Sequence, residues 1–247
     1  MKIINEMHHL KKLQMLRFIA AFMVLIVHVN FYTHERVDQL GYVWAPGSQG
    51  VQIFFLISGF VMLLSADKLK YGLSSSVFFL KRRIVRIVPM YWIFTTAKLI
   101  LALVLVDVAM HNRPRLLYTL GSYLLFPVSS ADGGIAPLHG VGWTLLHEMF
   151  FYYLISISIL LGWSAFRFTS IAIVVLFSCR FFFDFDSAFF RVVTSENNLH
   201  FVFGMLLAKI YLSGFRLNAG VSVILTVCIF IFIMHTDGIF LAAKFFW

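Results

Sequence analysis

The chain has 247 residues, of which 61% are hydrophobic and only 13% are charged, and its mean hydropathy is +0.89. A soluble domain carries about 25% charged residues, so this composition excludes a soluble globular protein and indicates an integral protein of the lipid bilayer. The formal charge of +9 is typical of a membrane protein whose cytoplasmic loops are rich in Lys and Arg, and we predict no nucleic-acid partner.

The apolar segments predict an all-α fold, a polytopic transmembrane helix bundle that forms a single domain over residues 1–247. About seven segments come close to the ~20 residues that are needed to cross a bilayer. They cover residues 13–33, 50–66, 88–108, 138–161, 165–183, 199–215 and 219–236. A shorter apolar piece, 116–128, is expected to be re-entrant or interfacial rather than spanning.

The charges between the segments predict an orientation. The connection 67–86 is strongly basic, so we expect it in the cytoplasm, and the N-terminus with its lysines then falls on the same side. The loops 34–49 and 184–198 are expected outside. If 116–128 were a span instead, every segment after it would be inverted.

The first predicted span begins with a cation and ends with an imidazole. Arg17 and His28 enclose ten apolar residues, and on an α-helix they share nearly the same face, about 16 Å apart. Both are open to an interfacial interpretation, in which Arg17 snorkels to the head groups and His28 meets water. The functional interpretation is a groove, with an anionic ligand head at Arg17 and a reacting end at His28.

Two further motifs follow. GVQIFFLISGF contains Gly50, Ser58 and Gly59, small residues that allow the close approach of a helix or a ligand. FFLKRRIVRIVPMYW contains three arginines, which either anchor the chain at the cytoplasmic surface or form a phosphate site for a nucleotide-like donor; the spacing alone favours anchoring. These are Arg82, Arg83 and Arg86.

The stretch GWTLLHEMFFYY places Glu148 inside the fourth predicted span, with His147 beside it. An intramembrane carboxylate needs a partner or a neutralising proton. We predict His28 as that partner, because a carboxylate can orient an imidazole and stabilise its protonated form during general base catalysis. The alternative is a structural hydrogen bond from Glu148 to Trp143, a tyrosine or the backbone.

Taken in order, these motifs resemble the acyltransferase-3 family of bacterial membrane O-acyltransferases. The matching elements are Arg17-x10-His28, GVQIFFLISGF, RRIVRIVP and WTLLHEMFFY, and FGMLLA at 203–208 is similar to a later Gly-containing span of the family. The WTLxxExFFY form is most similar to the branch that modifies exopolysaccharides and other surface glycans.

The resemblance implies transfer of an acyl group, expected to be acetyl, from acyl-CoA to a hydroxyl of a carbohydrate acceptor, without a permanently bound cofactor. It implies that the protein is a multi-pass enzyme of the bacterial inner membrane. It also implies that His28 is catalytic with support from Glu148. For the arginines it implies donor binding or integrity of the site, and these are Arg17, Arg82, Arg83 and Arg86. It implies a supporting role for Ser58, Gly59, Trp143 and Tyr152.

The chain departs from the family pattern in two ways. Gln52 stands where many members have Asp, and about seven spans are predicted where members usually continue through several more. We therefore expect a fragment, a truncated product or a short variant. Two other functions stay open: a transporter of a lipid-linked sugar and a non-catalytic component of a glycan-assembly complex. The other histidines lack metal-ligand spacing, so no metal site is predicted.

Overall fold

A computed structural model describes residues 2–37, 44–104, 115–130, 133–183, 186–215 and 218. Within these residues the chain is helical and has no strand, which confirms the all-α prediction. The helices are α1 Lys2–Arg36, α2 Gln49–Ala66, α3 Leu73–Val104, α4 Leu116–Tyr123, α5 Trp143–Leu161, α6 Ala165–Cys179, α7 Ala188–Val193 and α8 Leu199–Leu212.

Four helical stretches of the described residues are long and apolar enough to cross a membrane. They are Lys11–His34, Pro46–Ala66, Leu73–Val104 and Gly140–Leu161. The predicted spans 165–183 and 199–215 are shorter than expected, because α6 has 15 residues and α8 has 14. At about 1.5 Å per residue neither helix covers the ~30 Å hydrocarbon core. Of the about seven predicted spans, four are present at spanning length among the described residues, two are the shorter helices α6 and α8, and 219–236 lies outside the described residues.

The start of α3 differs most from the sequence prediction. The helix begins at Leu73, fifteen residues before the predicted start of the third span, and it runs through Pro89. The predicted basic loop 67–86 is therefore wrong, and only 67–72 lies outside helices. Lys and Arg are good helix formers, so their charge lowered the hydropathy of this segment without breaking its helix. Proline is tolerated in membrane helices because neighbouring groups satisfy the released backbone.

The described residues fall into two compact units, and the first contains α1, the first half of α2 and the end of α8. In this unit the segment that begins α2 touches the backbone of α1. A Cβ atom on Gly50 would lie 2.5 Å from the carbonyl oxygen of Ala20, and one on Gly47 would lie 2.7 Å from that of Met23. The small residues here therefore allow two helices to approach closely, as their pattern predicts.

The second unit, residues 58–206, is built on an antiparallel pair formed by α3 and α5. Near one end, the hydroxyl groups of Ser76 and Ser156 are 2.8 Å apart, and each also donates to the backbone carbonyl of the other residue. Near the other end, Gly142 lies against the ring of Tyr91. The span Gly140–Leu161 consequently runs beside residues 73–91 of α3, and the arginines of α3 lie along this span instead of in a loop.

The short helix α4 is also part of this unit. With eight residues it covers about 12 Å, so it does not cross a membrane. Its polar groups face α3: the Tyr91 hydroxyl donates to the Ser122 carbonyl at 2.9 Å, and the Trp92 indole donates to the Tyr123 carbonyl at 2.8 Å. The opposite face consists of exposed leucines, namely Leu116, Leu117, Leu120 and Leu124.

Candidate active site

Glu148 lies on the inner face of α5 and is held by a hydroxyl from a distant part of the chain. Its Oε1 accepts a hydrogen bond of 2.7 Å from Ser58 Oγ. Tyr152, one turn further along α5, is buried on the same face and its hydroxyl interacts with Ser58 and with the Glu148 carboxylate. The hydrogen bond from Ser58 to Glu148 is a contact that the sequence did not indicate.

Arg83 completes this group from α3. It is half-buried and is attracted by the Glu148 carboxylate, while Arg82 and Arg86 repel it. Its guanidinium carbon lies 5.3 Å from the ring centre of Phe79. A half-buried arginine on an apolar helix needs partners for its charge. Ser58, Glu148, Tyr152 and Arg83 are called the Glu148 cluster below.

The three predicted donor-binding arginines of α3 do not share one environment. Arg82 and Arg86 are exposed and lie on one face, four residues apart, whereas Arg83 is turned by about 100° towards α5. The guanidinium of Arg82 lies 5.4 Å from the ring centre of Phe78. The structure thus separates Arg83 from the other two, as the i, i+4 spacing of Arg82 and Arg86 predicts for a helical segment.

A groove of ≈ 290 Å³ begins at Arg86 and runs along α3 towards the loop before α5. His139 lies in its wall, with its ring stacked on that of Phe94 at 5.9 Å. Burial, followed by the positive charge of Lys98, lowers the pKa of His139, so its imidazole is neutral at physiological pH. The sequence did not predict this groove. Its other lining residues include Met90, Val141, Thr144 and Leu145.

His147, the neighbour of Glu148, belongs to a different set of contacts. Its Nδ1 lies 3.0 Å from Asn198 Oδ1, and the Asn198 amide donates to the carbonyls of Val192 at 2.8 Å and Val193 at 3.1 Å. Because both amide protons are used, Oδ1 must accept, and His147 Nδ1 is the donor. The predicted supporting residue Trp143 packs edge-on against the His147 ring. This contact ties α5 to the start of α8.

Gly59, the second predicted supporting residue of α2, has a packing role. A Cβ atom at this position would collide with the backbone carbonyl of Phe201 in α8. Phe201 is itself buried and stacks on Phe151 with ring centres 4.4 Å apart. Gly59 therefore permits the backbones of α2 and α8 to touch, and it also places its neighbour Ser58.

Arg17 and His28 lie in the first unit, on α1. The helix is continuous from Lys2 to Arg36, so the predicted helical spacing of about 16 Å between the two residues applies. Both side chains are partly buried, and the His28 ring centre is 6.4 Å from that of Tyr32. The predicted partnership of His28 with Glu148 stays a prediction.

Comparison with known proteins gives the family. The chain matches the family model named acyltransferase domain, that of the acyltransferase-3 family, over residues 10–247. The exopolysaccharide production protein ExoZ of Rhizobium meliloti (strain 1021) is 30% identical over 183 residues, which cover 73% of this chain and 56% of that protein. The chain thus spans little more than half the length of this curated relative.

No solved structure matches the chain. The family match nevertheless includes all the motifs described above, from Arg17 on α1 to the FGMLLA stretch of α8. Because it covers nearly the whole sequence, and because the described residues form the expected all-helical, apolar fold, this chain belongs to the acyltransferase-3 family.

Proposed function

We propose that this protein transfers an acetyl group from acetyl-CoA to a hydroxyl of an exported or cell-surface carbohydrate. The family match over residues 10–247 is the observation that supports acyl transfer. The relative named as an exopolysaccharide production protein supports a glycan as the acceptor. The Glu148 cluster supports a reaction within the membrane span, since ionisable groups at such depth are usually functional.

In the proposed reaction His28 acts as the general base. The imidazole takes the proton of the acceptor hydroxyl while the hydroxyl oxygen attacks the thioester carbonyl carbon. The new C–O bond forms, the C–S bond breaks, and the CoA thiolate leaves with the proton that His28 returns. Glu148 stabilises the imidazolium that exists between these two proton transfers.

We propose that arginines bind the phosphates of the donor. Arg82 and Arg86 suit this role because they are exposed, share one face of α3 and offer planar guanidinium groups that bind phosphate bidentately. Arg86 also lies at one end of the groove that leads to His139. This groove is apolar enough for the thioester arm of the donor. Arg17 on α1 is proposed as a third phosphate ligand. Arg83 has a different environment, because it faces α5.

The apolar helices make this a membrane protein, and we propose the bacterial inner membrane with the N-terminus in the cytoplasm. The correction to α3 leaves Lys68 and Lys70 in the loop that is expected on the same side. In a variant without native cysteines, Lys70→Cys should react with a membrane-impermeant maleimide only after the cells are permeabilised. Labelling of intact cells would mean the opposite orientation.

Radiolabelled acetyl-CoA tests the proposed reaction. The purified protein in lipid vesicles is incubated with the donor and a pool of surface glycans, and label in the glycan is counted for wild type, His28→Ala and His34→Ala. We expect transfer by the wild type, loss by at least about a hundredfold in His28→Ala, and little change in His34→Ala, the matched control on the same helix. A transporter or a non-catalytic component would transfer no label, and full activity of His28→Ala would exclude His28 as the base.

A further inference from the structure

Arg83 and Glu148 lie at the same level of the antiparallel α3–α5 pair. Arg83 follows Ser76 by seven residues and Glu148 precedes Ser156 by eight, so both lie about 10–12 Å from the contact between the two serines. In α5 this level is eight residues from Gly140 and thirteen from Leu161, well inside the span. A cation on α3 therefore lies at the level of a carboxylate on α5, inside a helix that is long and apolar enough to cross a membrane.

Charge, and not a hydrogen bond to Nε, accounts for the position of the Arg83 guanidinium. Its Nε is buried and has no hydrogen-bond acceptor among the residues that the structure describes. A buried unpaired donor is unfavourable, so another interaction must hold the guanidinium in place. Among the groups that act on Arg83, the Glu148 carboxylate is the anion that attracts it, against repulsion from Arg82 and Arg86. The exposed Arg82 and Arg86 have no such need.

Tyr152 links the two charges. Its hydroxyl interacts with Glu148, with Arg83, and more weakly with Arg86, and it also interacts with the Ser58 hydroxyl. Ser58 donates its proton to Glu148 Oε1, the arrangement that suits an ionised carboxylate, which only accepts hydrogen bonds. Charge, hydroxyl and phenol thus surround Glu148 in the manner expected for its anionic form.

We propose that Arg83 is a positioning residue for Glu148: its positive charge keeps the carboxylate ionised inside the span, instead of binding the phosphates of a donor. For catalysis this rests on the proposed function, because only an ionised Glu148 can stabilise a protonated imidazole. The arginine run of α3 would then serve two purposes, with Arg83 directed to the carboxylate and Arg82 and Arg86 left for the donor.

A carbodiimide tests this assignment without any need for acyl transfer. Dicyclohexylcarbodiimide enters apolar sites and reacts with protonated carboxyl groups: the acid gives its proton to a carbodiimide nitrogen, and its oxygen adds to the central carbon. We expect little adduct on Glu148 in the wild type at neutral pH. In Arg83→Gln the protonated fraction of Glu148 should rise, and the amount of adduct should rise in proportion to it. Peptide mass spectrometry measures the adduct.

The controls separate charge from folding. Arg82→Gln removes the same charge one residue away and should leave Glu148 unreactive, as should Arg83→Lys, which keeps the charge. Arg83→Met keeps an apolar stem near Phe79 and is the second uncharged variant if Arg83→Gln does not fold. Equal labelling of the wild type and a folded uncharged variant would overturn the proposal, and so would extensive labelling of the wild type itself.

The transfer assay supplies a second readout. Loss of Arg83 should lower kcat and leave KM for acetyl-CoA unchanged, whereas a donor-binding arginine should raise KM. An Arg83→Gln variant with raised KM and unchanged kcat would contradict the assignment. If the wild type transfers no label at all, the proposed function fails, while the carbodiimide result on Glu148 still decides the role of Arg83.

Discussion

At the scale of single residues, the sequence indicates which side chains are unusual but not which of them meet. Glu148 is conspicuous because a carboxylate within an apolar run is costly. Its partner Ser58 lies 90 residues away, and nothing local to either position indicates the contact. Helical spacing sets Arg83 apart from Arg82 and Arg86, but which of these faces meets α5 is known only once the helix has been placed.

Gly59→Ala should destabilise the protein. The added methyl group would collide with the Phe201 carbonyl, and backbone cannot move aside as a flexible side chain can. Overpacking of this kind costs about 1–3 kcal/mol, measured as the free energy of unfolding in detergent. Gly140→Ala is the matched control, because no atom lies within 4 Å of the added Cβ. Equal stability of the two variants would contradict the close contact between α2 and α8.

Asn198→Ala should also reduce stability, by about 2–3 kcal/mol, because it leaves the buried His147 Nδ1 donor without this acceptor and removes a donor from two carbonyls. Thermal unfolding of the purified variant measures the loss. Asn197→Ala, one residue away in the same turn, is the control and should be close to the wild type. If Asn198→Ala unfolds at the wild-type temperature, the contact between α5 and the start of α8 does not stabilise the fold.

At the scale of helices, hydropathy located the segments but misplaced their limits. The sequence placed the third span at 88–108, whereas α3 covers Leu73–Val104, because charged residues that form helices well look like a loop to a hydropathy window. The difference matters for function, because the structure places the arginines beside α5 and not in a surface loop. Only the contacts of Ser76 and Tyr91 with α5 reveal this register.

The α3–α5 register can be tested at its serine contact. Ser76→Ala and Ser156→Ala should each destabilise the protein, and the double variant should lose less than the sum, because the hydroxyls lie 2.8 Å apart and each can donate its one proton to the other or to the opposite backbone carbonyl. We expect a coupling of about 0.5–1.5 kcal/mol in a double-mutant cycle of unfolding free energies. Strictly additive losses would mean that the two serines do not meet.

On α4 the polar groups point inward and the apolar side chains point outward, the reverse of a surface helix on a soluble protein. Its polar groups bond inward, as the Tyr118 hydroxyl does to the Ala136 carbonyl at 2.8 Å, and its leucines face outward. The sequence left 116–128 open between a re-entrant and an interfacial piece. Its eight-residue length excludes a span, in agreement with that expectation, and its leucine face is suited to lipid.

At the scale of the whole molecule, composition predicted the most. The low charge and high hydropathy indicated an all-α membrane protein, and the described residues confirm the fold class. Apolar composition did not set helix length: the run 165–183 stays apolar through Phe181–Phe183, yet α6 ends at Cys179 and is shorter than the predicted span. Ordered motifs predicted the family, which the match over residues 10–247 confirms.

In the proposed function the Glu148 cluster takes part in acyl transfer and is not only a packing contact. The most direct test compares kcat, KM for acetyl-CoA and thermal stability of Glu148→Gln with those of the wild type. Glutamine keeps the size of the side chain and can still accept the Ser58 hydrogen bond, but it carries no charge. We predict a fall in kcat of about a hundredfold with KM and stability unchanged. An unchanged kcat, or a loss that is fully explained by unfolding, would contradict the account.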